Sequence, residues 1–292
     1  MKLSSQRQGE LYLIGGILLW SIFPIFTQLS YSQVSPFTSL AVSSLFSALF
    51  FSIILTLRRR WKELLNIQAL IYSLYSTFFV GILFYLLYFF SLQYSSAGNV
   101  SILALSEMFF SFLLFHVWQK EYIPKIHIYG AILILLGAII VLIPSMSGFR
   151  IGDVLILIGA AIVPFGNYYV QKARRLINTE TIMFVRGIVG SLVIFLFSLV
   201  FGVASPLPQI VQSLPFLIAN GVLIFGVSTM LWVEGIHRIP VTKANALSSL
   251  GPLVTLFFAW MIFKTSPTSW QILSFIPMFV GVILISKKVS KT

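Results

Sequence analysis

Ten apolar stretches, each about twenty residues long, fill this chain almost from end to end. An α-helix rises about 1.5 Å per residue, so about 20 residues cross the roughly 30 Å of hydrocarbon in a bilayer. Every stretch is therefore long enough to span a membrane, and the pattern predicts an all-α integral membrane protein with ten transmembrane helices. The predicted spans are residues 11–30, 36–57, 69–92, 97–118, 127–144, 152–172, 181–203, 213–236, 241–263 and 268–286.

The basic residues are distributed unevenly among the connections between these spans. Of the 19 Lys and Arg residues, 16 lie in the amino-terminal tail, the even-numbered connections or the carboxy-terminal tail. Only Arg150 and Lys264 lie in odd-numbered connections, and Arg186 lies inside the seventh span. Because translocation disfavours Lys and Arg, the side with 16 basic residues is predicted to be cytoplasmic. An even number of spans then places both termini in the cytoplasm, and we expect the protein in the inner membrane of the cell.

The composition excludes several classes of protein. A chain that is 58% hydrophobic and only 9% charged lacks the polar surface of a water-soluble domain. The net charge of +12 comes mainly from loops beside the span ends, where it matches anionic lipid headgroups and not nucleic acid. The lack of cysteine excludes thiolate metal sites, and the histidine spacing suggests no other metal site. We expect the bilayer and a small molecule as partners, no cofactor, and either a monomer or a homodimer.

The second half of the chain repeats the first at an offset of about 144 residues, which predicts domains at residues 1–146 and 147–292. The aligned segments are residues 19–24 with 163–168, 96–101 with 240–245, and 137–141 with 281–285. Each half holds five spans, an odd number, so the second half must enter the membrane from the opposite face. Two inverted five-helix repeats of this kind are typical of secondary transporters. Duplication for stability alone is the alternative.

Short polar turns followed by small-residue helices mark both halves of the chain. The segments are Tyr94–Asn99 with Glu107 in the first half, Arg238–Ala244 with Gly251 and Pro252 in the second, and Leu18–Ser21 near the start. In this pattern the chain resembles the EamA family of the drug/metabolite transporter superfamily. The resemblance implies a ten-helix secondary transporter that moves small polar metabolites, often amino acids or related compounds, and commonly outward. It also implies a central cavity lined mainly by the first, third, fourth, sixth, eighth and ninth helices.

Glu107 lies near the middle of the fourth predicted span. A charged group at the bilayer centre costs about 2.5 kcal/mol or more, so we expect this side chain to face a cavity or a partner. Asn99 lies near the edge of the same side of the helix. Glu107 is predicted to bind a substrate ammonium group or a coupling proton, and a structural glutamate bonded to a neighbouring helix is the alternative.

The ninth span carries a polar face around a helix break. Asn245, Ser248, Pro252 and Thr255 follow a spacing of three, four and three residues, which places them on one side of a helix. Pro252 removes a backbone hydrogen bond, and Gly251 permits close approach of a ligand or another helix. Asn245, Ser248 and Pro252 are therefore predicted to bind substrate opposite Glu107. A proline kink packed by small residues is the alternative.

Two charged residues near the cytoplasmic ends of spans seven and eight form a candidate gate. An ion pair between Arg186 and Glu234 is the simplest prediction, because an unpaired buried charge costs several kcal/mol. Glu234 can instead pair with Arg238, four residues along its own helix. In helices one and six, Trp20 and Asn167 are candidates for the cavity wall, with anchoring at the membrane interface as the alternative.

These patterns favour a secondary transporter that works by alternating access around a midplane cavity, with export of amino acids or related metabolites as the leading prediction. Glu107 is the candidate for proton coupling. Uptake or exchange of a cationic or nucleoside-type metabolite remains open, because a buried carboxylate suits a cation. If the protein is not a transporter, the alternatives are a channel or a membrane-embedded enzyme, such as an acyl or prenyl transferase. The seven carboxylates and three histidines are scattered, without the cluster that catalysis needs.

Overall fold

The computed structural model describes residues 5–119, 125–143, 150–239 and 241–287. In these ranges ten helices are long and apolar enough to cross a bilayer, so the chain is a multi-pass membrane protein. The predicted boundary between residues 146 and 147 lies outside the described residues. The helices are α1 (Ser5–Ser30), α2 (Pro36–Leu57), α3 (Ile67–Tyr94), α4a (Ala97–Ala104), α4b (Ser106–Gln119), α5 (Lys125–Leu142), α6 (Ile151–Ala173), α7 (Thr179–Val200), α8 (Leu207–Ile236), α9a (Val241–Ser248), α9b (Gly251–Phe263) and α10 (Ser269–Ser286).

Polar residues at the helix starts explain several of these boundaries. The side chain of Ser35 accepts a hydrogen bond from the backbone of Thr38 at the start of α2, and Ser96 caps α4a in the same way. Thr268 and Gln271 form a reciprocal capping box at the start of α10. The start of α8 was predicted at residue 213, but the helix begins at Leu207, because a proline in its first turn has the backbone angle that a helix start requires.

The fourth and ninth spans are both broken, at equivalent positions in the two halves. The predicted fourth span is not one continuous helix, since α4a ends at Ala104 and α4b begins at Ser106. The break is a tight turn in which the Leu105 N–H donates to the Ile102 carbonyl at 3.0 Å. In the ninth span the break separates Ser248 from Gly251, which precedes Pro252. The offset of 144 residues places Leu105 on residue 249, so each half contributes one broken helix.

The packing of α5 against α10 shows that the two halves have opposite orientations. A β-carbon added to Gly130 would lie 2.7 Å from the carbonyl oxygen of Gly281, and one added to Gly137 would lie 2.7 Å from that of Ser274. With the 144-residue offset, Gly130 is equivalent to Ser274 and Gly137 is equivalent to Gly281. The two contacts therefore exchange under a pseudo-twofold axis. Because residue numbers rise along α5 and fall along α10, these equivalent helices are antiparallel.

The equivalent helices α2 and α7 are antiparallel as well. Before α2 begins, the hydroxyl of Ser35 donates to the carbonyl of Val203, beyond the end of α7, at 2.8 Å. After α2 ends, Arg58 forms an ion pair with Glu180 in the first turn of α7. Both pairs of equivalent helices thus run in opposite directions, and the prediction of two inverted five-helix repeats is confirmed.

The chain divides into two compact units that do not coincide with the repeats. The first unit comprises residues 1–25, 94–161 and 228–292, and the second comprises residues 26–93 and 162–227. Helix α3 carries a π-helical segment at Thr77–Phe84, and a second π-helical segment, Ala219–Ser228, lies at the equivalent place in α8. π-Helical turns are rare in proteins. Those that do occur are often found near functional sites.

Candidate functional site

The first unit contains a cavity of about 380 Å³. This volume lies near the lower end of the range of about 300–1,000 Å³ that is typical of small-molecule sites. The walls come from four spans, of which two are the broken ones. The lining residues are Gly16, Ile17, Trp20 and Ser21 of α1, Glu107 and Met108 of α4b, Ser228, Thr229 and Trp232 of α8, Asn245 and Ser248 of α9a, and Gly251 of α9b.

The helix breaks determine where the carboxylate lies. Glu107 lies in the first turn of α4b, and Gly251 is the first residue of α9b, so the amino-terminal ends of both second half-helices reach the cavity. A helix carries about half a positive elementary charge at its amino terminus, which stabilises an anion placed there. The breaks thus provide an electrostatic environment in which the carboxylate of Glu107 is tolerated inside the membrane.

The wall formed by α1 is joined to α9b by a hydrogen bond, and a second hydrogen bond lies within α1. Thr255 Oγ1 donates to the backbone carbonyl of Ser21 at 2.8 Å, and Ser21 Oγ donates to the carbonyl of Ile17 at 2.7 Å. Pro24 has no N–H to offer the carbonyl of Trp20, which weakens the helical ladder beside the cavity. Trp20 lines the cavity and is 39% exposed.

The walls formed by α8 and α9a are also held by polar contacts. Ser228 Oγ donates to the carbonyl of Gly16 at 3.0 Å, which brings α8 close to α1. Asn245 Nδ2 donates to Ser286 Oγ of α10 at 3.1 Å. Lys243 Nζ donates to Glu10 Oε1 at 2.5 Å and joins the start of α9a to α1. In contrast, the buried Oγ of Ser248 has no hydrogen-bond partner among the described residues.

The structure brings four of the predicted substrate-binding residues to one cavity, namely Glu107, Trp20, Asn245 and Ser248. The resemblance implied that the eighth helix lines the cavity, but none of its residues was singled out from the sequence, although the spacing of Ser228, Thr229 and Trp232 would place all three on one helical face.

The other predicted binding residues lie elsewhere. Pro252 is buried next to the lining residue Gly251, and Asn167 is an exposed residue of α6 in the second unit. Asn99 is buried in a polar cluster, where Nδ2 lies 3.4 Å from Asp153 Oδ2 and Oδ1 accepts from Gln271 Nε2 at 2.7 Å. Asn99 therefore joins α4a, α6 and α10, and it is not among the residues that line the cavity. Asp153, which is 1% exposed, was not singled out from the sequence.

The two residues of the predicted gate have partners within their own units. Arg186 Nη2 donates to Ser76 Oγ at 2.7 Å, and its buried Nε has no hydrogen-bond partner among the described residues. Glu234 Oε2 accepts from Arg238 Nη1 at 2.5 Å, which is the alternative pairing that the sequence offered. The ion pair between Arg186 and Glu234 stays a prediction.

Two known proteins are similar to this chain. An uncharacterized transporter from Methanothermobacter thermautotrophicus is 26% identical over 205 residues, which is 65% of this chain. The match spans only 57% of that relative's length. A crystal structure with 17% sequence identity superimposes with a TM-score of 0.65 and covers 98% of both chains, which shows a common fold.

A family model matches the chain twice, at residues 7–143 and at residues 150–287. Each match contains one of the two broken helices and one of the antiparallel partners α5 and α10. Together the matches cover nearly every residue of the chain. The family is described as the EamA-like transporter family, and this chain belongs to it.

Proposed function

We propose that this transporter moves amino acids or related small polar metabolites by alternating access around the cavity of the first unit. The observation that carries the proposal is the chemistry of the walls. Among the described lining residues Glu107 is the only ionisable one, and it shares the cavity with hydroxyls, one amide and two indoles. A carboxylate in a site of low dielectric attracts a cationic group strongly, and a charge-assisted hydrogen bond orients it.

The remaining lining residues suit the rest of such a molecule. Trp20 and Trp232 offer large apolar faces to a side chain, and an indole face also attracts a cation within about 6 Å. Asn245 and Ser248 can hydrogen-bond polar groups. The lining residues therefore suit a small molecule with an amino group for Glu107, a polar part for Asn245 and Ser248, and an apolar part for the two indoles.

Glu107 also supports coupling to protons. One carboxylate holds either a substrate ammonium or a proton, so the two ligands compete for the same oxygens. In an export cycle, deprotonated Glu107 binds substrate when the cavity is open to the cytoplasm, and a proton displaces the substrate when the cavity is open outside. Inverted repeats with broken helices support such alternating access. The ion pair between Arg186 and Glu234 is our candidate for a gate, and the basic connections support an inner-membrane protein with both termini in the cytoplasm.

An organic cation that lacks a carboxylate is the second candidate substrate, taken up or exchanged. The observation that favours it is again the single carboxylate among the described lining residues. An amino acid and an organic cation differ in one charged group, so a matched set of compounds separates the two candidates.

Transport in proteoliposomes tests the proposal directly. Labelled amino acids and labelled amines are offered to the purified full chain, with and without a proton gradient. We expect uptake that depends on the gradient, and Glu107→Gln should remove it while the protein keeps its elution volume and melting temperature. Glu10→Gln is the matched control, because Glu10 is a carboxylate of the same unit that binds Lys243 and does not line the cavity. Unchanged transport by Glu107→Gln at every pH would refute the role of Glu107.

A further inference from the structure

We propose that the second unit binds the headgroup of an anionic phospholipid at the end that is predicted to be cytoplasmic. Four basic side chains, from the connections after α2 and after α6, form the site. We call them the basic patch, and they are Arg59, Lys62, Arg174 and Arg175. The proposal concerns the contact between the protein and its bilayer, so it does not depend on which molecule is transported.

Basic residues outnumber carboxylates at this end of the second unit. The two connections and the adjoining helix ends carry seven basic residues, which are residues 58–60, Lys62, Lys172, Arg174 and Arg175. The same segments carry two carboxylates, Glu63 and Glu180. Such an excess of positive charge beside a span end attracts the anionic lipids of a cytoplasmic leaflet.

Contacts within the second unit hold the two connections together. Glu63, from the connection after α2, accepts a hydrogen bond from the backbone N–H of Asn178 at 2.9 Å. Glu180, in the first turn of α7, forms ion pairs with Arg58 and Arg60. A buried apolar cluster joins the same elements and consists of Ala69, Ala173, Ile177 and Ile182. The basic residues of both connections therefore belong to one end of a packed structure.

The basic patch has no carboxylate partner in the protein. All four of its side chains are exposed, and none of them forms an ion pair with another described residue. In the first unit, by contrast, Lys243 pairs with Glu10 and Arg238 pairs with Glu234. The basic patch therefore keeps positive charge that the phosphate of a headgroup can neutralise through charge-assisted hydrogen bonds.

The backbone of Arg59 gives an independent reason to assign a role to its side chain. Its φ is +53°, in the left-handed region that glycine adopts at lower cost than other residues. Helix α2 ends there in a Schellman motif, since the Arg60 N–H donates to the Leu55 carbonyl at 2.9 Å and the Arg59 N–H to the Thr56 carbonyl at 3.1 Å. Glycine is the usual residue at this position, so a contribution from the arginine side chain must offset the conformational cost.

Apolar side chains beside the basic patch mark the level of the membrane surface. Trp61, which directly precedes Lys62, is 41% exposed and packs edge-on against Phe184 with the ring centroids 5.3 Å apart. Tryptophan is enriched where hydrocarbon meets the headgroups. Leu57 and Leu65, four residues before and after Trp61, are 74% and 79% exposed. A phospholipid offers acyl chains to these side chains and a phosphate to the basic patch, a combination that nucleic acid and acidic proteins lack.

Lipid binding to the purified full chain, measured by native mass spectrometry, tests the site. The protein is delipidated in a neutral detergent and titrated with phosphatidylglycerol or with phosphatidylcholine. We expect phosphatidylglycerol to bind more tightly. The double variant Arg174→Gln with Arg175→Gln should weaken phosphatidylglycerol about 25-fold, because each basic residue near an anionic surface contributes about 1 kcal/mol, a factor of about five. Binding of phosphatidylcholine should change much less.

Arg59→Gly separates lipid binding from a role in the fold. It should weaken phosphatidylglycerol about fivefold and should not lower the melting temperature in detergent, because glycine adopts the left-handed conformation readily. Lys264→Gly is the matched control, since Lys264 also has a positive φ, +57°, at the end of α9b but lies in an odd-numbered connection. Both variants remove a cation from a helix end, so the helix dipole affects them alike. The control should leave the affinity for phosphatidylglycerol unchanged.

Three results would overturn the proposal. If phosphatidylcholine bound as tightly as phosphatidylglycerol, the basic patch would not select an anionic lipid. If inorganic phosphate displaced phosphatidylglycerol at a similar concentration, the patch would be a site for a free anion. If Lys125→Gln, which removes an exposed cation at the start of α5 in the first unit, weakened phosphatidylglycerol as much as Arg59→Gly, the attraction would come from the total charge of the protein and not from a site.

Discussion

Glu107 in the first unit and Arg186 in the second are both ionisable groups within membrane spans, and their surroundings differ. Glu107 lies in the wall of a cavity, near the start of a half-helix. Arg186 lies against the π-helical segment of α3, where Ser76 accepts its hydrogen bond and Gly81 makes room for its side chain. The two carboxylates of the second unit, Glu63 and Glu180, bind other groups.

The difference separates two ways of keeping a charge inside a membrane. A charge that is packed on all sides is held by its protein neighbours, so its removal changes stability first. A charge that opens on a cavity can exchange one partner for another, so its removal changes binding first. By this criterion we predict that Glu107 binds a ligand and that Arg186 supports the fold or the gate.

The largest expected effect comes from replacing each charge. Glu107→Ala should weaken binding of an amine-bearing substrate about 100-fold, because the ammonium group loses the one carboxylate among the described lining residues and a hydrogen bond between charged groups contributes up to about 3 kcal/mol. Arg186→Leu should lower the melting temperature and leave that affinity unchanged, because Arg186 is not among the lining residues. Calorimetry and thermal unfolding of both variants measure this. If Arg186→Leu lowered the affinity and left the melting temperature unchanged, Arg186 would be a binding residue and the assignment of the two charges would be wrong.

Gly81, which contacts Arg186, and Gly251, which lines the same cavity as Glu107, give a second contrast. A β-carbon at Gly81 would lie 2.9 Å from Arg186 Cγ and 3.1 Å from Thr77 Cγ2, so Gly81→Ala must displace a packed side chain. We expect a destabilisation of about 2 kcal/mol, as is typical of overpacking. Gly251→Ala, with its nearest neighbour at 3.4 Å, should be neutral or slightly stabilising. Thermal unfolding of the two variants in one detergent compares them, and equal losses would show that both sites are tightly packed.

A smaller effect is expected at Ser76, which accepts the 2.7 Å hydrogen bond from Arg186. Ser76→Ala should cost about 1.5 kcal/mol, because the buried guanidinium loses an acceptor. In the Arg186→Leu background the same change should cost much less, since the partner is already gone. A double-mutant cycle of unfolding free energies measures the coupling. Additive effects would mean that the hydrogen bond contributes nothing to stability.

The sequence predicted the features that follow from span length and from charge. Hydropathy over about twenty residues reveals ten spans, and the opposite faces of the two repeats follow from an odd number of spans in each. Glu107 was visible because a carboxylate in the middle of a span is costly in lipid, and the break at Gly251 was visible because Pro252 cannot donate the helical hydrogen bond.

Other features depend on contacts that a pattern does not encode. The break at Leu105 has no proline or glycine to mark it, and the π-helical segments have the same apolar composition as the helices around them. Asn99 looked like a cavity residue from its helical face, but Asp153 and Gln271, distant in sequence, hold it in their cluster. Such long-range partners are set by the packing of helices and not by local spacing.

The smallest effect on stability is expected for Glu63, a carboxylate outside the spans. It extends the comparison to a charged group that is held by hydrogen bonds from other residues of the protein. Glu63 accepts hydrogen bonds from Thr181 Oγ1 at 2.6 Å and from the backbone of Asn178 at 2.9 Å, which fixes the connection after α2 to the start of α7. Partial burial alone would raise the pKa of Glu63, but these hydrogen bonds lower it below the ordinary value of 4.5. Because the pKa is lowered in the folded protein, the stabilisation is present above pH 4.5 and is lost as the pH falls through the lowered value.

Glu63→Ala should therefore cost about 1 kcal/mol near pH 7, a modest value because the group is partly exposed to water. The difference in melting temperature between Glu63→Ala and the unmodified chain should shrink as the pH is lowered below 4.5. Ligand affinity should not change, since Glu63 is absent from the lining residues. A stability difference that is constant across this range would show that the ionised form of Glu63 gives no advantage over its protonated form, and that its role is packing alone.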